Sequence, residues 1–530
     1  MHEGLDTTRT ASVRVSLLVP MLMPPHATPR PARFGYGLGV VPSGAWHFDR
    51  SKSHESSHNP PSESWPPLNP PNSQSLVHLS TSPRLASASE HLSELRVPYT
   101  IQECDRILTA RGQVLEMQEV TIHGQRQRVW KNLPPTFRDF LLKQLLLYWD
   151  RTFLSSPLPV PPSDAGDTTD DLREQVTYGD VLRRSLELAA WLRGRGVGVG
   201  SRVAIGGGNS TGWVVSFIAA HLVGAIAVCL NAWLPRDVLV QCLAKTRPDV
   251  VLLDQERTEV LAPLRAELSA QGVGEVVCWD QWGLLSDVAK RHVIDVRAVT
   301  QGAGRETLED ILQGRGLEDL SPESDAVIFF SSGTSGPPKA VLSTQRMALT
   351  NLYSGLVGVL SRFIEQSHNI ALTGNAHARA HSRAHARAHA HARAHAHTRR
   401  VPAVVASILQ NPSLPKDRGF ETVFYGGAPP SKQLAGEVKA RWPKAGIVQG
   451  YGLSETNAYV CSTAGGDYLA KPESTGPPVP VCDIRIVDPT TRRPVSDGQT
   501  GLLLVRGPQV MKCYYGDPGE VSGLGSDSDT

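Results

Sequence analysis

The 530-residue sequence lacks any charge imbalance, with 53 Lys+Arg against 51 Asp+Glu and a net charge of +2. No global field draws such a chain to nucleic acid or to an anionic membrane, so its partners must be argued from local sites. Cysteine is scarce: seven residues (Cys104, Cys229, Cys242, Cys278, Cys461, Cys482 and Cys513) lie scattered, with no C-x-x-C pair and no histidine at metal-ligand spacing. An odd, unpatterned set predicts reduced thiols in an intracellular protein, with cytoplasm and peroxisome both open. The opening "MHEGLDTTRTASVRVSLLVPMLMPP" sets Glu3 and Asp6 before a short apolar patch broken by proline, a pattern that fits neither a secretory signal nor a transit peptide. Long apolar runs are missing too, with one exception. "WVVSFIAAHLVGAIAVCL", Trp213 to Leu230, just reaches bilayer length, but Ser216, His221 and Gly224 interrupt it. A buried helix followed by a buried strand is expected there, and no transmembrane segment.

Residues 1–95 are rich in Pro, Ser and His and carry no sustained apolar period, so a disordered tail is expected. From about Arg96 helix-like and strand-like segments alternate. "TYGDVLRRSLELAAWLRGRGV" puts Leu182, Leu186, Ala189 and Leu192 along one side of a helix, and "SRVAIGG" then reads as a buried strand. "TGWVVSFIAAHLVG" continues as helix, "AIAVCLN" as strand, "PRDVLVQCLAKT" as helix and "PDVVLLD" as strand. Continuous apolar strands in strict alternation with helices predict an α/β fold, a largely parallel sheet covered by helices on both faces. The expected organisation is a first domain part over 96–374, an Ala/His/Arg insert over 375–400, a second part over 401–518 and a disordered tail over 519–530.

The insert, "NAHARAHSRAHARAHAHARAHAHTRR", spaces His377, His381, His385 and His389 four apart. One helical face could align them, but no carboxylate in the stretch orients an imidazole, so a metal site is not expected. Nucleic-acid binding through the repeat would need stacking aromatics, and it has none. Solvated low complexity is the expectation.

Chemistry concentrates in "FFSSGTSGPPKA", Phe329 to Ala340. An apolar strand precedes Ser331, Ser332, Thr334 and Ser335, while Gly333 and Gly336 let the backbone turn its N–H groups inward. Consecutive N–H donors around a concavity bind anions, and Lys339 adds a point charge. The spacing is G-x-x-G-x-x-K, which differs from the G-x-x-x-x-G-K-[ST] loop of common nucleotide hydrolases, and "AVLS" after it reads as a second strand. Downstream, "VFYGGAPPSKQL" runs a strand into Gly426, Gly427 and Ala428, where bare backbone can approach a flat ligand. "VQGYGLSETNA" supplies Tyr451 for stacking on a base, the hydroxyl of Ser454, and Glu455 as a carboxylate for Mg²⁺, which takes one or two carboxylates beside substrate phosphates. Together, in this order, these stretches describe a nucleotide triphosphate site.

"SSGTSGPPKA", "YGGAP", "QGYGLSET" and "STGPPVPVCDIRIVDP…GQTGLLLVRGPQVMKCYYGDP" resemble the successive signatures of the adenylate-forming superfamily, from about Arg96 to Pro518. "VPYTIQECDRILTARGQVLEMQEV", "TYGDV" and "GAIAVCLNAW" resemble the amino-terminal part of fatty-acyl-CoA synthetases. The resemblance implies ATP, Mg²⁺ and coenzyme A as cofactors and a small carboxylic acid, expected to be fatty, as substrate. It implies that Ser331 to Lys339 wrap the β- and γ-phosphates, that Gly426, Gly427 and Ala428 line the adenine and acyl pocket, and that Tyr451 stacks on adenine. Ser454 would contact the α-phosphate and Glu455 the Mg²⁺, with Lys339, Ser454 and Glu455 as the catalytic group.

Three departures from that pattern shape the expected activity. The repeat stands where the family has helix and strands, and it is expected to supply no apolar sheet element. After "CYYGDPGEVSGLGSDSDT" the family continues with a ribose-gripping aspartate, a hinge and a small domain carrying a lysine. Cys513 occupies a place where the family commonly has glycine, so a strained turn is expected there. A carboxylate-activating CoA ligase by family is therefore expected, with this chain impaired and showing little or no activity, and a non-catalytic nucleotide-binding remnant is the alternative. Ala, His and Arg can all be encoded by alternating purine–pyrimidine repeats, which points to translated simple-sequence DNA. Sequencing of the mature transcript is expected to lack the codons for the repeat, and their clean presence would refute that origin.

Overall fold

The computed structural model describes residues 101–122, 124–157, 173–280, 282–299, 305–331, 338–366, 396–400, 402–410 and 420–516. The expected tails 1–95 and 519–530, and the repeat up to residue 395, lie outside them. After a short helix over Ile101–Leu108 come a hairpin of β1 (Met117–Ile122) and β2 (Gln125–Trp130), helix α1 (Phe137–Leu147), and the antiparallel pair β3 (Thr152–Pro157) and β4 (Arg173–Thr177). Helix α2 (Tyr178–Gly194) starts on a capping box: the Thr177 hydroxyl accepts from the Asp180 N–H, and the Asp180 carboxylate accepts from the Thr177 N–H, both at 3.0 Å. Hydrogen bonds from the Thr177 backbone and side chain hold the Asp180 carboxyl below its usual range. Leu182, Leu186, Ala189 and Leu192 of this helix are buried, as their spacing predicts.

From here the alternation is regular. Strand β5 (Arg202–Gly206), helix α3 (Thr211–Leu222), β6 (Ile226–Leu230), helix α4 (Arg236–Thr246), β7 (Val250–Leu253), β8 (Glu275–Cys278) and β9 (Ile294–Asp295) follow in order. The hairpin β10 (Asp325–Ser331) and β11 (Lys339–Thr344) comes next, leading into helix α5 (Gln345–Gln366). With β18 (Cys513–Tyr514) these strands make an eight-stranded sheet ordered β18-β11-β10-β6-β5-β7-β8-β9. All pairs from β10 to β9 are parallel, and only β11 and β18 run against their neighbours. Both faces are buried: Val203 and Ile205 of β5 enter one apolar cluster, and Ala204 between them enters the other. Period-two alternation with apolar residues on both sides is what a helix-covered parallel sheet requires. The bilayer-length stretch is accordingly a helix, a turn at Gly224 (φ 74°) and a strand. Among the described residues no helix is long and apolar enough to cross a membrane.

A second sheet, ordered β12-β13-β14-β15, is built from Ala396–Arg400, Phe420–Gly426, Gly446–Tyr451 and Cys461–Ala464, parallel except for the last pair. The repeat, expected to supply no apolar sheet element, ends in a polar edge strand. An edge strand pairs on one side only, through backbone groups that every residue carries, so "AHTRR" can serve without apolar residues. A last hairpin, β16 (Asp483–Val487) with β17 (Leu502–Arg506), precedes β18. The strained turn expected at Cys513 is corrected as well: the residue sits in β18, paired with Leu342, and is not among the residues of positive φ. All seven cysteines are free thiols.

One buried group carries a consequence for stability. His221, in the last turn of α3, stacks on Phe137 at 4.5 Å and meets the edge of Phe217 at 4.4 Å, and neither ring nitrogen has a hydrogen-bond partner among the described residues. Burial pushes its pKa down to about 3. The unfolded chain, with an ordinary imidazole near 6.5, therefore binds the proton first, and stability is lost as pH falls from 6.5 towards 3. Denaturant unfolding is expected to show this histidine removing about 2 kcal/mol by pH 5. His221→Leu should flatten that part of the pH profile, and an unchanged slope would refute the assignment.

Candidate functional site

The site is assembled where the β10–β11 hairpin, the turn after β14 and strand β18 meet. Hairpin register pairs Ser331 with Lys339, so the two ends of the hydroxyl-rich loop are held side by side by main-chain hydrogen bonds. Ser332, Gly333, Thr334, Ser335 and Gly336 lie outside the described residues. Lys339 opens β11, and its ammonium stands 4.7 Å from the ring centroid of Tyr514. The Tyr514 hydroxyl donates to Glu455 Oε1 at 2.9 Å. The cation that closes the loop and the acid of the "SET" turn thus contact the same aromatic ring.

Local chemistry explains the turn. Tyr451 ends β14 opposite Cys461, and its half-buried ring packs against the cluster formed by Leu108, Leu115, Trp130 and Val460. A Cβ on Gly452 would stand 1.2 Å from the Ala458 carbonyl oxygen, so the chain folds back there only because glycine has none. Ser454–Thr456 form one 3₁₀ turn, closed by Asn457 in the left-handed region at φ 50°. Asn457 Nδ2 donates to Ser343 Oγ of β11 and to the Gln509 carbonyl, both at 2.9 Å. Asn351 of α5 donates to the carbonyls of Thr456 at 2.8 Å and Asn457 at 2.7 Å. From below, the Met511 N–H donates to the Glu455 carbonyl at 2.7 Å. The turn bearing Ser454 and Glu455 is therefore tied to β11, to α5 and to the approach to β18.

The Gly-Gly segment also has a packing role. Gly426 is the last residue of β13, and a Cβ there would lie 2.4 Å from the Gly450 carbonyl oxygen of β14. Its bareness serves the neighbouring strand. Gly427 needs its φ of 78°, and Ala428 after it is exposed. The β13 and β14 ends place these residues beside the turn after β14, since Gly426 pairs with Gly450.

Sequence reasoning named Lys339, Tyr451, Ser454 and Glu455 but missed Tyr514, Asn457, Asn351 and Ser343. Asn457 carried a legible signal, an asparagine directly after a Ser-Glu-Thr turn where a left-handed residue ends it. Tyr514 carried none, because its contacts depend on the pairing of β18 with β11.

The arrangement could hold a magnesium nucleotide. Among the described residues no three His, Cys, Asp or Glu side chains cluster as a protein cage, and a single half-buried carboxylate suits an ion that takes its other ligands from phosphate and water. A largely parallel sheet whose β10–β11 hairpin meets the acidic turn of a second sheet is an α/β frame. The chain belongs to the AMP-binding enzyme family, whose model matches residues 161–515, and hence to the adenylate-forming superfamily. Similar curated proteins include a 4-coumarate–CoA ligase of Nicotiana tabacum, 26% identical over 374 residues, covering 65% of each chain. Another, from Oryza sativa subsp. japonica, is 28% identical over 373 residues, covering 65% of this chain and 64% of the relative. The chain thus spans just under two thirds of the length of these relatives. Among solved structures, a luciferase-like enzyme from the mealworm Zophobas morio superposes with a TM-score of 0.53 at 21% identity, over 72% of this chain and 87% of that one. A long-chain-fatty-acid-CoA ligase from Archaeoglobus fulgidus gives 0.53 at 16% identity, over 73% and 78%. These likenesses establish the fold.

Two neighbouring substitutions should act in opposite directions. Asn457→Ala removes two buried hydrogen bonds and a tolerated left-handed residue, and should lower stability by about 2–3 kcal/mol. Ala458, at φ 106°, holds a conformation that L side chains avoid, and Ala458→Gly should raise stability by about 1 kcal/mol. Chemical denaturation of both variants checks the pair, and a shift of equal sign would refute the geometry of this turn.

Proposed function

We propose that the chain activates a carboxylic acid with ATP and passes the acyl group to coenzyme A. In the first step a carboxylate oxygen attacks the α-phosphorus, forming the acyl-adenylate while the bond to the β-phosphate breaks and pyrophosphate leaves. In the second, the thiolate of coenzyme A attacks the acyl carbon, a C–S bond forms, and AMP departs. The observation that supports the reading is the shared contact of Lys339 and Glu455 with Tyr514, which sets about one side chain a cation that would serve phosphate and an acid that would serve a metal.

The roles follow from that position. Ser331, Ser332, Gly333, Thr334, Ser335 and Gly336 would supply hydroxyls and N–H groups to the β- and γ-phosphates, with Lys339 as point charge. Ser454 would donate to the α-phosphate, Tyr451 would stack on adenine, and Gly426, Gly427 and Ala428 would border the adenine and acyl pocket. Glu455 would hold Mg²⁺, whose charge would offset that of the phosphates. The protein's contribution to the first step is positioning and charge stabilisation. On the nature of the acid two observations pull apart. The amino-terminal texture resembles fatty-acyl-CoA synthetases, whereas the curated relatives are by name 4-coumarate–CoA ligases.

Acid-dependent ATP–pyrophosphate exchange, run with a panel of fatty and hydroxycinnamic acids, tests the reading and chooses the acid. Exchange is expected with one class, at the reduced rate of an impaired ligase, and Lys339→Ala should lower it about a hundredfold further, the scale of one lost charge-stabilising donor. ATP binding by calorimetry without exchange on any acid would instead favour a non-catalytic nucleotide-binding protein.

A further inference from the structure

Tyr514 lies in the "CYYGDP" signature but was given no role there, yet it touches both charged residues of the site. Its backbone is fixed by pairing with Val341 of β11, and on either side the Lys512 N–H donates to the Leu342 carbonyl at 2.9 Å and the Tyr515 N–H to the Ala340 carbonyl at 2.7 Å. The ring is half-buried, with the Lys339 ammonium 4.7 Å from its centroid and its hydroxyl 2.9 Å from Glu455 Oε1. A residue needed for packing alone would be served by the ring, and no role in packing calls for the hydroxyl to meet a carboxylate. We infer that Tyr514 is a positioning residue, which orients the Glu455 carboxylate for a divalent cation through its hydroxyl and steadies Lys339 for phosphate through its ring.

This inference rests on the nucleotide reading given above and assigns the two halves of one side chain to the two charges. By donating to Oε1 the hydroxyl fixes the rotamer of Glu455 and leaves Oε2 as the oxygen that meets the cation. The electron-rich face of the ring sets the height of the Lys339 ammonium over strand β11. Because β18 pairs with β11 and also follows the Met511 hydrogen bond to Glu455, the ring cannot shift without disturbing both partners.

Calorimetric titration of the full chain with ATP, in the presence and absence of magnesium chloride, separates the two halves. Tyr514→Phe keeps the ring and loses the hydroxyl: the gain in ATP affinity that magnesium confers is expected to fall roughly threefold to tenfold, the scale of one typical hydrogen bond, while metal-free affinity moves less than twofold. Tyr514→Leu should also weaken metal-free ATP binding by a further factor of about three, through Lys339. Adding Tyr514→Phe to Glu455→Gln should change the magnesium gain no further. A purely structural tyrosine would instead lower the melting temperature and weaken both affinities alike. An undiminished magnesium gain in Tyr514→Phe, where the unaltered chain binds ATP, overturns the positioning role and leaves the nucleotide reading intact. No ATP binding by the unaltered chain removes both. Should Tyr514→Leu fail to fold, the Phe variant and its Glu455→Gln combination decide alone.

Discussion

The antiparallel hairpin joining the parallel sheet to β18 is the constraint on which the rest depends. Main-chain pairing of β10 with β6 on one side and β11 with β18 on the other leaves Lys339 no freedom of position beyond its own side chain. The backbone of an internal strand is among the least mobile parts of a fold, so a charge placed at its first residue starts from a fixed origin. The loop itself is thereby relieved of the task of locating the lysine. It needs only to bend, which glycines and hydroxyl residues do at little expense.

Much of this was legible in the sequence, and for a uniform reason. Where a residue's fate is decided by its neighbours in the chain, the pattern announces it. Leu182, Leu186, Ala189 and Leu192 are buried because a helical repeat places them together, and "PDVVLLD" is a central strand because four apolar residues in succession suit a surface covered on both faces. The hairpin around the hydroxyl-rich loop was likewise readable, since each strand is an apolar run. Strand β12 was not. Its residues, "AHTRR", carry no strand signature, and it forms because β13 offers an unpaired edge. Gly426 shows a subtler mismatch: glycine signals a close approach but not by what, and here the visitor is a neighbouring strand. Tyr514 illustrates the remaining gap, because its partners are 175 and 59 positions away in the chain and no local pattern connects them.

The turn carrying Ser454 and Glu455 departs from easy backbone geometry at two successive residues, Asn457 and Ala458. Such conformations persist only when the surroundings over-determine them. Here four ties do so: two from Asn457 to β11 and the Gln509 carbonyl, and two from Asn351 to the turn's own carbonyls. Asparagine suits both tasks, since its amide reaches backbone acceptors and its short side chain tolerates the left-handed region. The strain is thus local and its supports come from elements that also frame the lysine. Acid and cation are consequently set by one connected piece of backbone.

An aromatic ring between such charges has an electrostatic advantage over direct contact. A lysine and a carboxylate 4 Å apart attract by about 4 kcal/mol at an effective dielectric of 20, and an arriving phosphate would have to displace much of that. A lysine resting on a π face is held by about 0.5–2 kcal/mol, enough to limit its rotamers but small against what a polyphosphate offers. The Glu455 carboxylate is steadied by a neutral hydroxyl and not by an opposite charge. On the proposed reading Tyr514 would order both groups without neutralising either, which a site receiving a metal-bound anion would need.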